Sequence, residues 1–228
     1  MKHAGLILAG GKSERFSEKT IQKQFTPVAG KPLMLYAVTV FQKCPAIDSI
    51  TIVAPNEWFG RIEEWINLYE ISKFFQFAEA GETRQHSIFN GLKAVKELSP
   101  DKIIIHDAAR PNVLVNDIED CISASIRYDG ATPVLTVNDT VYQSEDGLTI
   151  SATLNRDTLF AGQTPECYDY IKYLAAHEDY YPDLANFRGS SEIAVKAGMV
   201  IAMAKGNIGN FKVTTKEDLE RFEQIKGL

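Results

Sequence analysis

The sequence predicts an α/β protein in which a doubly wound, mostly parallel β-sheet is the middle of three layers. Apolar runs at 4–9, 50–54 and 102–105 have the composition of strands that are buried on both faces. Amphipathic helical patterns separate these runs, and such alternation indicates βαβ units with right-handed crossovers and helices on both faces of the sheet. We therefore expect ligands to bind at the carboxyl edge of the sheet.

Helices between the strands are predicted from apolar spacing and from the residues at their ends. Pro32 suits the first position of a helix, Gly130 predicts a helix stop, and Thr215 is a hydroxyl cap ahead of a final helix. Further strands are predicted over 132–137 and 200–204. The predicted helices cover residues 33–43, 58–69, 83–98, 115–128, 169–177, 191–197 and a last stretch from Lys216.

One stretch, 139–156, interrupts this alternation and predicts a projecting β-arm. Strand-like runs at 140–142 and 148–150 flank a polar turn that ends in Asp146-Gly147. Two strands alone are marginally stable in water, so the arm needs a surface to pack on, and a second copy of the chain is the simplest candidate. We therefore expect a single domain over 1–228 that forms a homodimer through this arm.

Composition excludes several classes of protein. With 228 residues, 45% hydrophobic and 24% charged, the chain has the makeup of a globular protein, and a formal net charge of −6 argues against non-specific nucleic-acid binding. Cys44, Cys121 and Cys167 are widely spaced and odd in number, which favours neither a disulfide framework nor a zinc site. No run of 18 apolar residues is present, so we expect a cytoplasmic protein without a membrane contact.

The first chemical motif follows the first predicted strand. Leu8-Ala9-Gly10-Gly11-Lys12 is followed by Arg15 and Lys23, so backbone N–H groups and cations converge after one strand. The spacing matches neither the Walker phosphate loop nor the dinucleotide-binding glycine pattern. An ordinary turn with solvated lysines is the alternative. We interpret the motif as a triphosphate site.

The second motif stands at the end of the third apolar run. Asp107 and Arg110 follow that run, and a carboxylate facing a triphosphate is repulsive unless a divalent cation lies between them, so Asp107 is a predicted Mg²⁺ anchor. The alternative is that Asp107 caps a turn and Arg110 pairs with a surface acid. His106 is expected to be a structural residue, because no other histidine forms a constellation with it.

Further segments extend these motifs along nearly the whole chain. The set comprises Leu8-Ala9-Gly10-Gly11-Lys12 with Arg15, Lys23-Gln24-Phe25, Gly30-Lys31-Pro32-Leu33, Gly81-Glu82-Thr83-Arg84 with Ser87 and Asn90-Gly91-Leu92, His106-Asp107-Ala108-Ala109-Arg110-Pro111, Gln163-Thr164-Pro165, and Lys212-Val213-Thr214-Thr215 with Asp218-Leu219. In this order the segments resemble the CTP-dependent cytidylyltransferases that act on 2-C-methyl-D-erythritol 4-phosphate or ribitol 5-phosphate. The resemblance implies a Rossmann-like fold of the nucleotide-diphospho-sugar transferase type.

The resemblance also implies a Mg²⁺-dependent reaction in which a polyol phosphate attacks the α-phosphorus of CTP and pyrophosphate leaves. Lys23 and Lys212 would then flank the α-phosphate, with Arg15 as a third catalytic cation and Asp107 on Mg²⁺. The implied nucleotide contacts are Leu8, Ala9, Gly10, Gly11, Lys12, Gly81, Glu82, Ser87, Asp107 and Ala108. The implied acceptor contacts are Arg110, Arg156, Thr164 and Arg188, with Arg156 reaching the site of the neighbouring subunit.

The acceptor is predicted from smaller features. The Ala9-Gly10-Gly11-Lys12 run, the eight-residue step from Arg15 to Lys23, and Arg156-Asp157 ahead of Gly162 are more similar to the ribitol phosphate branch. Arg188-Gly189 stands where the methylerythritol branch commonly has a Thr-Asp pair. We therefore expect ribitol 5-phosphate or a similar pentitol phosphate as the acceptor, with 2-C-methyl-D-erythritol 4-phosphate as the alternative.

Two rival functions remain at this point. A guanylyltransferase or a sugar-1-phosphate nucleotidyltransferase would share the glycine loop and the fold. A non-catalytic nucleotide-binding subunit would need no second lysine at the α-phosphate, so the joint presence of Lys12, Arg15, Lys23, Asp107 and Lys212 argues against it.

Overall fold

The computed structural model describes residues 1–11 and 22–227 and confirms the predicted three-layer α/β architecture. Its strands are β1 (His3–Leu8), β2 (Pro27–Val28), β3 (Lys31–Pro32), β4 (Ser49–Ala54), β5 (Phe74–Glu79), β6 (Lys102–Asp107), β7 (Gly130–Thr136), β8 (Val141–Gln143), β9 (Ala152–Leu154), β10 (Phe160–Gly162), β11 (Glu166–Asp169) and β12 (Ile201–Lys205). Its helices are α1 (Leu33–Lys43), α2 (Phe59–Leu68), α3 (Arg84–Ala94), α4 (Val115–Ala124), α5 (Tyr170–Asp179), α6 (Ser190–Lys196) and α7 (Lys216–Ile225).

The central sheet is mostly parallel. Its strands lie in the order β10-β7-β11-β6-β1-β4-β5, and β12 also pairs with β7. The β6-β1-β4-β5 part is parallel throughout, as is the pairing of β12 with β7. The strands β10 and β11 run antiparallel to β7, and β11 also runs antiparallel to β6. The predicted parallel core is thus present, with an antiparallel insertion on one side.

Both faces of the sheet are covered because successive residues of its central strands point to opposite sides. On β1, Leu6 packs in the cluster with α3 and α5, whereas Ile7 packs in the cluster with α1 and α4. Ile103 and Ile104 on β6 divide between the same two clusters. This alternation explains why the central strands read as uninterrupted apolar runs.

The register of β1 against β6 determines where the site forms. Leu8, the last residue of β1, lies opposite Asp107, the last residue of β6. The Ala9 N–H then donates to the Val53 carbonyl on β4 over 2.7 Å, which extends the pairing by one residue. The glycines that follow β1 therefore leave the sheet beside the carboxylate that ends β6.

The predicted helix stop at Gly130 is wrong. The helix α4 ends at Ala124 and a short 3₁₀ turn, Ser125–Arg127, follows it, while Gly130 is the first residue of β7. A Cβ at Gly130 would lie 2.6 Å from the Cys167 carbonyl oxygen of β11. The glycine is needed where two strands approach closely, not at a helix end.

The predicted arm is present as a separate two-stranded sheet, but its second strand lies further along the chain than expected. Val141 pairs with Leu154 and Gln143 with Ala152, so residues 144–151 form the loop. The Asp146 carboxylate accepts from the Leu148 and Thr149 N–H groups over 2.8 Å each. These local hydrogen bonds hold Leu148 and Thr149 in the loop instead of a strand, which the period of two in the sequence did not indicate.

Within residues 1–11 and 22–227, no helix combines the length and the apolar composition that crossing a membrane requires.

Candidate active site

A cavity of about 480 Å³ opens at the carboxyl edge of the sheet. The loops that follow β1, β5 and β6 form its walls, and a segment near the C-terminal helix closes one side. Its lining residues are Leu8, Gly10, Gly11, Lys23, Gln24, Gly81, Glu82, Thr83, Arg84, Ser87, Asp107, Ala109 and Lys212.

The glycine loop after β1 has no space for a side chain at Gly10, and the Gln24 side chain restrains the backbone on either side of it. A Cβ at Gly10 would lie 2.5 Å from the Ala80 Cβ, whereas a Cβ at Gly11 would meet open space. The Gln24 amide nitrogen donates to the carbonyl oxygens of Ala9 and Gly11, over 2.7 and 3.0 Å. Gln24 therefore fixes the described part of the loop. The predicted contacts Lys12 and Arg15 lie outside the described residues.

The loop after β5 leads into the N-terminus of α3 at the cavity wall. Thr83 caps the helix, and the Ser87 hydroxyl accepts from the Gly81 N–H over 3.0 Å while it donates to the Thr83 carbonyl over 3.0 Å. A Cβ at Gly81 would lie 2.4 Å from the Cβ of His86. The turn brings backbone N–H groups and the Ser87 hydroxyl to one wall, where a polar ligand can be contacted closely.

Asp107 is the buried anion of the cavity. Its Oδ1 accepts from Nε and Nη2 of Arg84, over 3.2 and 3.1 Å, and its Oδ2 accepts from the Lys212 ammonium over 2.7 Å. Burial alone would raise the pKa of Asp107, but the positive charges of Arg84 and Lys212 outweigh burial and hold this pKa well below its ordinary value. The carboxylate is thus ionised, with two N–H donors on Oδ1 and the Lys212 ammonium on Oδ2.

Thr164 and His106 lie beneath Asp107 and do not line the cavity. Burial lowers the pKa of His106 to about 4, so the ring is neutral near pH 7. Its Nε2 faces the Arg110 carbonyl at 3.0 Å and must donate, which leaves Nδ1 to accept from the Thr164 hydroxyl over 3.0 Å. The same hydroxyl accepts from the Asp107 N–H over 3.1 Å. His106 and Thr164 therefore fix the backbone that carries Asp107.

Lys23 and Lys212 come from distant parts of the chain and line the same cavity. Lys23 begins a 3₁₀ turn, Lys23–Phe25, that follows the glycine loop. Lys212 is held at the cavity wall because the Val213 N–H donates to the Ala109 carbonyl over 2.8 Å. The arrangement gathers cations around a space that a nucleoside triphosphate could occupy.

A model of the family described as IspD, 2-C-methyl-D-erythritol 4-phosphate cytidylyltransferase, matches residues 4–227. The chain belongs to that family. It is therefore a cytidylyltransferase, an enzyme of the nucleotidyltransferase class.

Two relatives agree with this membership of the cytidylyltransferase family. The 2-C-methyl-D-erythritol 4-phosphate cytidylyltransferase of Geobacillus thermodenitrificans is 33% identical over 227 residues, which cover 99% of this chain and 97% of the relative. The enzyme of that name from Clostridium botulinum strain Okra is 34% identical, with 98% of this chain and 97% of the relative covered.

Solved structures share the fold, and two examples follow. The 4-diphosphocytidyl-2C-methyl-D-erythritol synthase of Anaerococcus prevotii has a TM-score of 0.85 at 21% identity and covers 100% of this chain and 96% of its own. The 2-C-methyl-D-erythritol 4-phosphate cytidylyltransferase of Thermus thermophilus has a TM-score of 0.77 at 23% identity, with both chains fully covered.

The nucleotide contacts predicted for this cytidylyltransferase mostly line the cavity. Leu8, Gly10, Gly11, Gly81, Glu82, Ser87 and Asp107 do so, together with the predicted catalytic residues Lys23 and Lys212. The side chains of Ala9 and Ala108 are buried instead of lining it. Both belong to the buried cluster that contains residues of α1 and α4.

The predicted acceptor contacts lie apart from the cavity of the cytidylyltransferase. Arg110 donates to the Asn210 carbonyl over 2.8 Å and faces the Gly162 carbonyl at 3.5 Å, so it ties two backbone segments together. Arg156 is exposed beside the arm and donates to the Asn138 carbonyl. Arg188 is exposed as well.

Gln24 and Arg84 received no role from sequence reasoning, although both stand within segments that carry the family resemblance. Gln24 follows Lys23 directly, and Arg84 closes the Gly81-Glu82-Thr83-Arg84 run. A side chain whose role is to hydrogen-bond a loop backbone or a carboxylate belongs to no recognisable pattern in a single sequence. Each was detectable only as a polar residue next to a predicted contact.

Asp107 fits a magnesium ion of the kind that substrate phosphates complete. Among the described residues, no group of three or more His, Cys, Asp and Glu side chains could hold a metal ion. Mg²⁺ in nucleotide enzymes commonly takes one or two carboxylates together with phosphate oxygens and waters. A single ionised carboxylate at the wall of the cavity is the donor that such a site requires from the protein.

Proposed function

We propose that this cytidylyltransferase transfers CMP from CTP to 2-C-methyl-D-erythritol 4-phosphate. The family match over residues 4–227 carries the proposal, and relatives of that name at 33% and 34% identity over almost the full chain support it. The acceptor expected from the sequence, ribitol 5-phosphate, gains no support from these relatives. The Arg188-Gly189 departure does not outweigh a likeness that extends from end to end.

The chemistry needs no protein base at the attacking oxygen. A phosphate monoester has its second pKa near 6, so the acceptor is largely a dianion at neutral pH. A new bond forms between an acceptor phosphate oxygen and the α-phosphorus of CTP, while the bond from that phosphorus to the bridging oxygen breaks and pyrophosphate leaves with the electron pair. The protein's task is to bring two anions into line and to stabilise the charge of the transition state.

Lys23 and Lys212 are the described residues proposed for that task. Their positions on one cavity support a role at the α-phosphate, with each ammonium able to face a phosphoryl oxygen. Asp107 would hold Mg²⁺ together with the triphosphate. When bound, the ion would neutralise phosphate charge and orient the leaving pyrophosphate.

The proposed enzyme is a homodimer in which the arm packs on a second copy. Tyr142, Leu148 and Ile150 are exposed on the arm, with 90% of Leu148 accessible, and such apolar exposure on a two-stranded hairpin favours a covering partner. Arg156 stands at the base of the arm and would reach the acceptor phosphate of the neighbouring site. Light scattering at micromolar concentration tests the assembly, and a monomer mass would overturn it.

The acceptor is tested by pyrophosphate release from CTP and Mg²⁺ with each candidate polyol phosphate. We expect a higher kcat/KM for 2-C-methyl-D-erythritol 4-phosphate than for ribitol 5-phosphate. The opposite order would assign the chain to ribitol phosphate. Release with neither acceptor would favour the non-catalytic nucleotide-binding subunit.

A further inference from the structure

A chain of alternating charges runs from a buried glutamate on β11 to a lysine that lines the cavity. It consists of Glu166, Arg84, Asp107 and Lys212, in that order, and is called the ion-pair chain below. Glu166 Oε2 lies 3.5 Å from Arg84 Nη2, Arg84 Nη2 lies 3.1 Å from Asp107 Oδ1, and Asp107 Oδ2 lies 2.7 Å from Lys212 Nζ. The members come from β11, α3, the end of β6 and the segment before α7.

Arg84 determines which oxygen of Asp107 faces Lys212. Both Nε and Nη2 of Arg84 contact the same oxygen, Oδ1, so the other oxygen is left for the lysine. The third nitrogen, Nη1, donates to the hydroxyl of Ser190 at the start of α6. Because a guanidinium is planar and its donors are fixed relative to one another, these contacts restrain the carboxylate plane as a lysine could not.

Glu166 in turn restrains Arg84 without contacting the cavity. Its side chain is 7% exposed and is absent from the cavity lining. Its Oε1 accepts from the Tyr168 hydroxyl over 3.0 Å and from the Ser191 hydroxyl over 3.1 Å. With Oε1 held in this way, Oε2 remains directed at Arg84, which is the cavity-lining side chain that Glu166 contacts among the described residues.

We propose that Arg84 and Glu166 are positioning residues that set the place of the Lys212 ammonium for cytidylyl transfer. The proposal rests on the role proposed for Lys212 at the α-phosphate. Arg84 fixes the Asp107 carboxylate, and that carboxylate fixes the ammonium while it remains ionised. An ammonium on a flexible four-carbon stem gains a single location in this way, and no rearrangement is then required during transfer.

A purely structural role makes a different prediction. A buried ion pair that only stabilises the fold would, when broken, lower the free energy of unfolding and leave the kinetics of the folded fraction unchanged. Positioning instead lowers kcat of the folded enzyme by a larger factor than it raises the KM for CTP, because Lys212 is proposed to act on the reacting phosphate whereas Arg84 and Asp107 also line the nucleotide cavity. The split between kcat and KM therefore separates the two roles.

The experiment compares Arg84→Gln, Arg84→Lys, Glu166→Gln and the double variant Arg84→Gln/Glu166→Gln, with Arg61→Lys as the control. Arg61 is an exposed arginine on α2, paired with Glu64 away from the cavity. Folded fractions are measured by thermal unfolding, and kcat and KM are measured with CTP and the acceptor that the wild type uses best.

We expect kcat to fall about 100-fold in Arg84→Gln, because a misplaced ammonium no longer meets the reacting phosphate. Glu166→Gln keeps an amide oxygen for Tyr168 and Ser191 and should lose about 10-fold. In the Arg84→Gln background the same Glu166 change should cost little, since its effect passes through Arg84. Full additivity of the two changes, or kcat values that match Arg61→Lys, would overturn the proposal.

Crystal structures of the wild type and of Arg84→Gln provide a readout that needs no turnover. We expect the contact between Asp107 Oδ2 and Lys212 Nζ in the wild type and its loss in the variant, with the sheet unchanged. If that contact persists in Arg84→Gln, the positioning proposal fails, whatever the acceptor proves to be. If the wild type releases no pyrophosphate with any acceptor, the proposed function fails, and the geometric result still stands on its own.

Discussion

Two lysines from opposite ends of the chain reach one cavity, and a phosphoryl transfer that needs no protein base depends on such cations. Lys23 follows the glycine loop, and Lys212 is tied to Asp107 over 2.7 Å. An ammonium in a partly desolvated site stabilises developing charge far better than a solvated one. The two residues are therefore expected to act on the rate more than on the fold.

We predict that Lys23→Ala and Lys212→Ala each lower kcat at least about 100-fold, the usual cost of one transition-state contact of this kind. Pyrophosphate release measures the rate, and circular dichroism checks that each variant folds. Lys216→Ala, an exposed lysine on α7, is the matched control and should retain wild-type turnover. Near-native rates in both site variants would contradict the assigned roles.

Gln24 acts on the nucleotide through the backbone of the glycine loop. Its amide nitrogen joins the carbonyl oxygens of Ala9 and Gly11, and each such hydrogen bond contributes about 1 kcal/mol. We predict that Gln24→Ala raises the Kd for CTP about tenfold, because binding must then order the backbone from Ala9 to Gly11 that Gln24 otherwise holds. Isothermal titration calorimetry measures the affinity.

Gln42→Ala provides a matched control for this prediction. Gln42 also joins two segments, by donating to Ser72 and accepting from the Lys73 N–H, but it lies outside the cavity lining. Its loss should leave CTP affinity unchanged. Equal CTP affinities in Gln24→Ala and Gln42→Ala would show that the loop needs no such restraint.

Asp107 and Lys23 could be anticipated because each follows a predicted strand in a motif whose chemistry is local, whereas Lys212 was anticipated only through the family resemblance. The link between Arg84 and Asp107 could not, since it joins residues 23 apart in sequence, and Glu166 contacts Arg84 across 82 residues of the chain. A single sequence records that these residues are polar. Which of them meet depends on strand order and register, which periodicity does not encode.

At the scale of the elements, the turn from β5 into α3 has little space for side chains. Gly81 sits against the first turn of the helix, and an added Cβ would lie 2.4 Å from the His86 Cβ and 2.8 Å from the His86 carbonyl carbon. The neighbouring backbone cannot yield as a flexible side chain could. The close fit places the Ser87 hydroxyl on the Gly81 N–H.

We predict that Gly81→Ala lowers the free energy of unfolding by about 1 to 3 kcal/mol, the range found for overpacking. CTP affinity should fall as well, because the turn lines the cavity. Gly60→Ala, in the first turn of α2, is the control with the opposite sign: its Cβ meets nothing within 4 Å, and replacing glycine by alanine should stabilise by about 0.4 to 1 kcal/mol because the unfolded chain loses freedom. Chemical denaturation measures both changes, and a neutral Gly81→Ala would show that the turn relaxes freely.

Elements with a strong period were predicted better than short ones. The bounds of α1 agree with the prediction, because Pro32 and an apolar face mark it clearly. The strand β5 was missed because most of its residues are only partly buried, so the Phe74–Glu79 run resembles neither a buried nor an alternating strand. The strands β10 and β11 have only three and four residues, too few for any period to show.

At the scale of the whole molecule, the sheet brings together loops that the sequence separates. The strands β1 and β6 are adjacent in register, and β4 beside them receives the Ala9 N–H, so the loops after β1 and β6 meet at one edge. Doubly wound sheets place ligands at this edge, and that part of the site followed from the alternation alone. The antiparallel β11, which carries Glu166 to the same region, did not.

Nucleotide binding at this edge should stabilise the entire fold, because CTP with Mg²⁺ binds only the assembled cavity. At about 100 times its Kd a ligand contributes about 2.7 kcal/mol, which raises the Tm of a chain of this size by about 5 to 10 °C. We predict such a shift with CTP and Mg²⁺, a smaller shift with CTP in EDTA, and a smaller one with GTP.

In Asp107→Asn the shift should no longer depend on Mg²⁺, since the carboxylate proposed to hold the ion is replaced by a neutral isostere. Differential scanning fluorimetry measures each of these shifts. Equal shifts with and without EDTA in the wild type would remove Mg²⁺ from the nucleotide complex, and equal shifts with GTP and CTP would place base selection after binding.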